Sequence, residues 1–154
     1  MDDKLVFSEN GHFRIMQIAD AQEICMTNPD TVNLIDRALD YAQPDLVVFS
    51  GGQVKGYGVS MVSGDVRAKT KMTIENVLEP LIKRNINFLF TFGNHDISKK
   101  SPADFQFRTY KDTGLCLNST NSSGGYSPFS YATVYSHNEN EPLFNVYMFD
   151  TGKY

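Results

Sequence analysis

Three short apolar runs, each closed by polar residues or glycine, punctuate the first two thirds of the chain. Residues 13–19 alternate partly between apolar and polar side chains, residues 46–50 form a continuous β-prone run, and residues 86–92 form the third run. Runs of this length with such endings are typical of β-strands. The continuous second run is also typical of a strand that is covered on both faces.

Helical periodicity separates these runs. Asn28 and Pro29 are a favourable N-cap and first helical residue, and Pro44 ends the helix. A second helix is predicted from about Asp65 to Arg84, bent at the internal proline and preceded by a loop over residues 51–64. The apolar residues expected to face the sheet are Leu34, Ile35, Ala38, Leu39 and Ala42 in the first helix and Ile74, Val77, Leu78, Leu81 and Ile82 in the second.

A short helix and a hairpin are predicted in the last third of the chain. The helix starts at residues 101–104 and runs to about residue 112, a Ser/Asn/Gly-rich loop covers residues 118–125, and residues 129–136 and 143–149 form the hairpin. The strand, helix, strand, helix, strand order before them predicts right-handed crossovers and a mainly parallel sheet. We therefore expect one α/β domain over residues 1–154, built from a βαβαβ unit and a C-terminal hairpin.

Composition and charge limit the kinds of molecule that this chain is expected to bind. The 154 residues are 41% hydrophobic with a formal net charge of −4, which supports a real core and disfavours nucleic acid as a partner. Residues 1–4 are mostly charged and precede no apolar stretch long enough for a signal peptide or a membrane span, so we expect no membrane association and a cytoplasmic location. Cys25 and Cys116 form no CxxC pair and are expected to be buried free thiols.

Polar residues or glycines follow each of the three predicted strands. Asp20 comes after the first, two glycines at 51 and 52 after the second, and Asn94-His95-Asp96 after the third. The carboxyl ends of parallel strands carry the ligand site of such sheets, so we expect these residues to converge in one crevice. Carboxylate, amide and imidazole groups together can hold divalent metals near phosphate. The residues themselves leave open a plainer alternative, in which the His-Asp pair forms a structural hydrogen bond.

The segment Phe92-Gly93-Asn94-His95-Asp96, at the end of an apolar strand, resembles a motif of the calcineurin-like metallophosphoesterases, which include the purple acid phosphatases. In that family the first strand ends in Asp-x-His, the second in Gly-Asp, and the third in Gly-Asn-His-Asp or Gly-Asn-His-Glu. Residues 13–20 and 45–54 resemble the first two strands with altered motifs, and residues 149–152 resemble a later strand ending in Asp-Ser-Gly. The resemblance implies part of a four-layer α/β/β/α sandwich.

The resemblance also implies roles for four residues. Asp20 would bind the first metal and Asn94 the second. His95 would donate a hydrogen bond or proton to the substrate phosphate, and Asp96 would orient its ring. The family's cofactors are divalent ions of Mn, Fe, Zn or Mg, its reaction is attack on phosphorus by a metal-activated hydroxide, and its ligand is a phosphate ester or phosphate.

Three departures from the family pattern predict that this chain is inactive or strongly impaired. Gln22 stands at the position of the Asp-x-His histidine, and Gly52 stands at the position of the aspartate that bridges the two metals. A Gly-His-x-His segment, which the family draws from the half of the domain beyond residue 154, is the third missing part. We therefore expect at most one weakly bound ion.

Other interpretations remain open on the sequence alone. A regulatory module that binds phosphate or a metal without catalysis is the main alternative, and an unrelated Rossmann-like nucleotide binder is disfavoured because no GxGxxG or P-loop is present. His12 and His137 are poor substitutes for the missing ligands, since one precedes the first strand and the other lies in the hairpin loop. With the rest of a family domain missing, the apolar inner face of the sheet is expected to be exposed and to allow self-association.

Overall fold

The computed structural model describes residues 4–152, which form six strands and four helices. The strands are β1 (Leu5–Val6), β2 (Ile15–Ile18), β3 (Leu46–Phe49), β4 (Phe88–Phe90), β5 (Phe129–Tyr135) and β6 (Pro142–Phe149). The helices are α1 (Pro29–Ala42), α2 (Val59–Val62), α3 (Val66–Arg84) and α4 (Ala103–Lys111). The α/β class and the order of the predicted elements are confirmed.

A parallel sheet of order β2-β3-β4 forms the centre of the molecule. Ile15 is paired with Leu46, and Val47 with Phe88. Strands β3 and β4 lie almost wholly out of solvent because alternate residues pack against different layers. Val47 and Phe49 belong to a core shared with α1 and α3, whereas Leu46 packs on the other side.

The hairpin and the first strand form a second sheet, of order β1-β5-β6. Strand β1 is parallel to β5, and β5 is antiparallel to β6. Residues Leu5, Val134 and Met148 of this sheet pack against Leu46 and Leu89 of the central one. The described residues therefore form α/β/β layers, consistent with part of the four-layer sandwich.

The second sheet corrects the expectation that the inner face of the central sheet is exposed. Its inner side chains are covered by the central sheet, and the aromatic residues of the opposite face are the ones that reach solvent. Exposure is 42% for Phe129, 49% for Tyr131, 53% for Tyr147 and 65% for Phe149. The hairpin thus covers the face that was expected to be bare and presents a new apolar face outward.

The two long helices follow the predicted caps. The Asn28 side chain accepts from the N–H of Asp30, and the Asp65 side chain accepts from the N–H of Ala68. The helices are tied together by Arg84 of α3, which lies 2.7 Å from an oxygen of Asp36 and 2.7 Å from an oxygen of Asp40 in α1. Pro80 lies within α3, which continues without a break.

Two helical side chains lie on faces other than those predicted. Leu34 is 69% exposed and Ile82 is 45% exposed, because the contact between the helices is centred on Ile35, Leu39 and the arginine bridge.

Strand β1 and helix α2 were not predicted, and the third strand is shorter than the apolar run. Cys25 and Cys116 are both free, although only Cys116 is fully buried. Across residues 4–152, no helix is long and apolar enough to cross a membrane.

Candidate functional site

The loops that follow β2 and β3 run side by side. The N–H of Asp20 donates to the carbonyl of Gly51 at 3.0 Å, and the N–H of Gln22 donates to the carbonyl of Gly52 at 2.7 Å. A further parallel bridge joins Glu23 to Val54. The pairing of the strands therefore continues into the loops and fixes the residues after one strand against those after the other.

Glycine allows the loop after β3 to approach the loop after β4. A Cβ on Gly51 would lie 3.0 Å from the Cα of Gly93, and a Cβ on Gly93 would lie 2.6 Å from the nitrogen of Gly52. Gly51 and Gly52 also have φ of 108° and 72°, in the left-handed region that favours glycine. The three loops thus meet through backbone contacts that larger residues would disturb.

Position 52 faces the Asp20 carboxylate directly. A Cβ on Gly52 would lie 2.6 Å from Oδ1 of Asp20 and 3.0 Å from its Cα. A side chain at 52 would adopt a strained φ and would require the Asp20 side chain to move, and it would then lie next to the Asp20 carboxylate. Gly52 leaves Asp20 as the one carboxylate at this contact.

Asp96 holds the loop after β3 against the loop after β4. Its Oδ2 accepts from the N–H groups of Gly52 at 2.8 Å and Gly93 at 2.5 Å, and its Oδ1 accepts from the N–H of Val54 at 2.7 Å. Its side chain is buried, and this burial raises its pKa although the backbone donors act in the opposite direction. Asp96 was expected to orient the ring of His95, but both of its oxygens are directed at backbone N–H groups.

His95 has a different neighbour, Tyr57. The two ring centroids are 4.8 Å apart, and the Tyr57 hydroxyl donates to Oε1 of Gln22 at 3.1 Å. The Lys55 ammonium lies 5.0 Å from the centroid of the Tyr57 ring. Tyr57 therefore joins the altered motif after β2 to the intact motif after β4, while Asn94 and His95 stay exposed.

Tyr57 was missed by the sequence analysis. The sequence shows only an aromatic residue inside a glycine-rich loop, and this does not indicate which residues its ring contacts. The close approach of this loop to the next one depends on Gly56, where a Cβ would lie on the carbonyl oxygen of His95 at 1.8 Å.

The residue after β6 that resembles the aspartate of Asp-Ser-Gly is also held in place. Oδ2 of Asp150 accepts from the hydroxyl of Tyr126 at 2.6 Å, and its Oδ1 accepts from the N–H of Gly152. The Tyr126 ring packs on Phe92, just before the intact motif, with centroids 4.8 Å apart. Burial, with the nearby Asp150, raises the pKa of Tyr126, so its hydroxyl stays protonated as the donor.

The donors that the described residues bring to this edge do not fit a pair of cations. Within residues 4–152, no three or more His, Cys, Asp or Glu side chains are grouped so as to hold a metal ion. The edge offers the carboxylate of Asp20, the amide of Asn94 and the imidazole of His95, while the Gln22 amide oxygen accepts from a tyrosine. This set lacks the shared anion that two adjacent cations need.

Comparison with known proteins agrees with the motif. The family model for calcineurin-like phosphoesterase matches residues 13–153. The phosphatase DCR2 of Saccharomyces cerevisiae is 30% identical over 60% of this chain, which covers 18% of that protein. The probable inactive purple acid phosphatase 29 of Arabidopsis thaliana is 24% identical over 98% of this chain, which covers 43% of that protein.

The chain thus spans less than half the length of the relatives it matches. No solved structure matches it. The family match covers nearly all of the chain and includes both the altered and the intact motifs. This protein belongs to the calcineurin-like phosphoesterase family.

Proposed function

We propose that this chain is a calcineurin-like phosphoesterase whose two-metal centre is incomplete and which therefore hydrolyses phosphate esters slowly or not at all. The observation that carries the proposal is the contact between Gly52 and the Asp20 carboxylate, where the family places a second carboxylate. Two adjacent dications repel strongly, and a shared anion normally offsets this repulsion. Glycine supplies no such anion.

The neighbouring Gln22 supports the same conclusion. A neutral amide binds transition metals less well than imidazole does. Here the amide oxygen also accepts from Tyr57, so binding a metal would cost that hydrogen bond. The label "probable inactive" on the Arabidopsis relative is consistent with loss of activity elsewhere in the family.

The direct test is hydrolysis of 4-nitrophenyl phosphate with Mn²⁺, Zn²⁺ or Mg²⁺ added in turn. We expect no release of nitrophenol above the rate without protein. Turnover comparable to that of an ordinary phosphatase would overturn the proposal.

A restoration experiment tests the two positions named in the proposal. The double variant Gln22→His, Gly52→Asp should raise the affinity for Mn²⁺ by about tenfold or more in calorimetry, since it adds an imidazole and a carboxylate beside Asp20. Gly52→Asn combined with Gln22→His is the matched control, because asparagine meets the same steric constraint without the charge. Equal affinities for the two double variants would contradict the assigned role of position 52.

The second candidate function is binding of phosphate or a single metal ion without catalysis. It is favoured by the exposure of Asp20, Asn94 and His95 and by the Lys55 ammonium beside Tyr57. In calorimetry with inorganic phosphate, Mn²⁺ or Zn²⁺, we expect weak binding that His95→Ala reduces and His12→Ala leaves unchanged. Absence of heat with all three probes would exclude this candidate.

A further inference from the structure

A cavity of about 400 Å³ lies beside the candidate site, between α2, the first turns of α3 and the segment 96–101. Its apolar wall is formed by Met61, Val62 and Val66. Met61 is 2% exposed and Val66 is 8% exposed, whereas Val62 is 45% exposed and lies at the open side of the wall. The volume falls within the range of small-molecule sites in proteins, about 300–1,000 Å³.

The cavity is separate from the exposed residues of the candidate site, although it shares Asp96 with the motif after β4. Gly56 and Asp96 contribute to its lining, but Asp20, Asn94 and His95 do not. The backbone of Gly56 packs against the carbonyl of His95. The cavity and the edge therefore share a backbone wall, and a ligand in the cavity would touch neither the Asp20 carboxylate nor the His95 ring.

The polar part of the lining contains two cations beside the neutral hydroxyls of Thr70, Ser98 and Ser101. Lys99 and Lys100 are exposed and line the cavity, and neither forms an ion pair with an acidic side chain of residues 4–152. The Lys100 ammonium donates to the carbonyl of Val62 at 3.1 Å, which holds it across the opening next to the apolar wall. Asp96 is the one acidic residue in the lining, and both of its oxygens accept from backbone N–H groups.

Helix α3 begins at Val66 beside the same cavity, and its N-terminus is capped by the Asp65 carboxylate. The Arg67 guanidinium donates to the carbonyl of Lys100 at 3.3 Å and so fixes the segment that carries both lysines. An apolar interior with a cationic opening selects ligands that have an apolar body and a negatively charged head.

We propose that this cavity binds a small organic anion, with its apolar body against Met61, Val62 and Val66 and its carboxylate or phosphoryl head between the ammonium groups of Lys99 and Lys100. The site is separate from the phosphoesterase edge and goes beyond the proposed function. A ring with one charged substituent is the class of ligand that matches the volume and the charge.

Methyl NMR of protein labelled at its methionines tests the proposal, because Met61 reports on the cavity wall. The probes are phenylphosphonate and benzoate, which distinguish the two head groups, with benzyl alcohol and inorganic phosphate as probes that lack the charge or the apolar body. We expect one or both aromatic anions to shift the Met61 signal saturably at millimolar concentration, and the other two probes to shift it little. No shift with either anion, or equal shifts with benzyl alcohol, would overturn the proposal.

Variants of the opening and of the wall sharpen the test. Lys99→Gln and Lys100→Gln should each weaken the binding of the preferred anion by about tenfold, whereas Lys83→Gln, near the far end of α3, should leave it unchanged. Val66→Phe should block the cavity and abolish binding. Because Val66→Phe is a buried change that could prevent folding, the lysine variants are the decisive test. Equal affinity of Lys99→Gln, Lys100→Gln and Lys83→Gln for the anion would refute the site. Because Asp20 and His95 do not line the cavity, the outcome of this binding test does not affect the outcome of the phosphatase assay.

Discussion

At the scale of single residues, one buried carboxylate determines the shape of the site. Asp96 accepts three backbone N–H groups, two from the loop after β3 and one from Gly93. Its own carbonyl accepts from the side chain of Gln106 at 2.6 Å, which connects the loops to α4. Removal of the carboxylate would leave buried donors without partners.

We therefore predict that Asp96→Ala lowers the free energy of unfolding by about 3 kcal/mol, since each buried N–H left unpaired costs about 1–3 kcal/mol. Urea denaturation followed by circular dichroism measures this loss. Asp112→Ala, an exposed aspartate at the end of α4, is the control and should change stability by no more than about 0.5 kcal/mol. Similar losses in the two variants would show that the three hydrogen bonds contribute nothing specific.

Sequence patterns predicted the residues near the site better than the directions of their side chains. The position of Gly52 beside Asp20 follows from parallel strands and aligned motifs, so it could be inferred. The direction of the Asp96 carboxylate could not, because a motif gives the type of residue and not the donor it meets. Tyr57 contacts two loops at once, and such a contact depends on loop geometry that has no periodic signal.

At the scale of elements, the packing of α1 on α3 depends on charge as well as on apolar burial. Arg84 donates to the side chains of both Asp36 and Asp40. The hydrogen bond from Arg84 holds the pKa of Asp36 below its usual value. A lowered carboxyl pKa means that the stabilisation is present above the pKa of the unfolded chain and is lost as the pH falls through the folded value.

Arg84→Gln should consequently lower the melting temperature at neutral pH, and the difference from the parent chain should shrink as the pH falls below about 4. Differential scanning calorimetry over that pH range measures both effects. Lys71→Gln, which removes an exposed ion pair with Glu75 within α3, is the control and should have little effect at any pH. A pH-independent difference for Arg84→Gln would mean that packing, and not the carboxylates, explains the loss.

The helices with clear caps were predictable to within one or two residues, because Asn28 and Asp65 satisfy terminal N–H groups through local chemistry. The exposure of Leu34 and Ile82 was not, since amphipathic spacing does not say which neighbour a helix meets. Strand β1 has only two residues and α2 only four, which is too short for a hydrophobic period. The position of β1 is set by its pairing with the distant strand β5, and that of α2 by its packing on the neighbouring α3.

At the scale of the whole molecule, the outer face of the hairpin is an apolar surface that the described layers leave uncovered. The ring centroids of Tyr131 and Tyr147 lie 6.0 Å apart on this face, and Phe129 and Phe149 lie beside them. Exposed apolar patches on an edge sheet favour association between molecules. We propose that this chain, studied alone, self-associates through that face.

Tyr131→Lys should then reduce the concentration-dependent increase in sedimentation coefficient during analytical ultracentrifugation, because it places a charge in the centre of the patch. Tyr41→Lys is the matched control, since Tyr41 is 94% exposed on α1 and far from the patch in sequence. A parent chain that sediments as a monomer at every concentration would contradict the proposal.

The layer order could be inferred from the family resemblance, but the covered face could not. The prediction of a bare inner face assumed that the second layer of the sandwich would come from the rest of a family domain. The hairpin instead stacks on the central sheet, with Val134 and Met148 against Leu89. Stacking is decided by long-range contacts that alternation along one strand does not reveal.

The pairing of β1 with the hairpin affects the order in which the strands can form during translation. Leu5 and Val6 pair with Val134 and Tyr135, whereas β2, β3 and β4 find their partners among themselves. During translation the central sheet and its helices can assemble as soon as β4 has emerged, but β1 has to wait for the hairpin. Strand β1 therefore stays without its partner until the hairpin has been synthesised, although it precedes the whole central sheet in the chain.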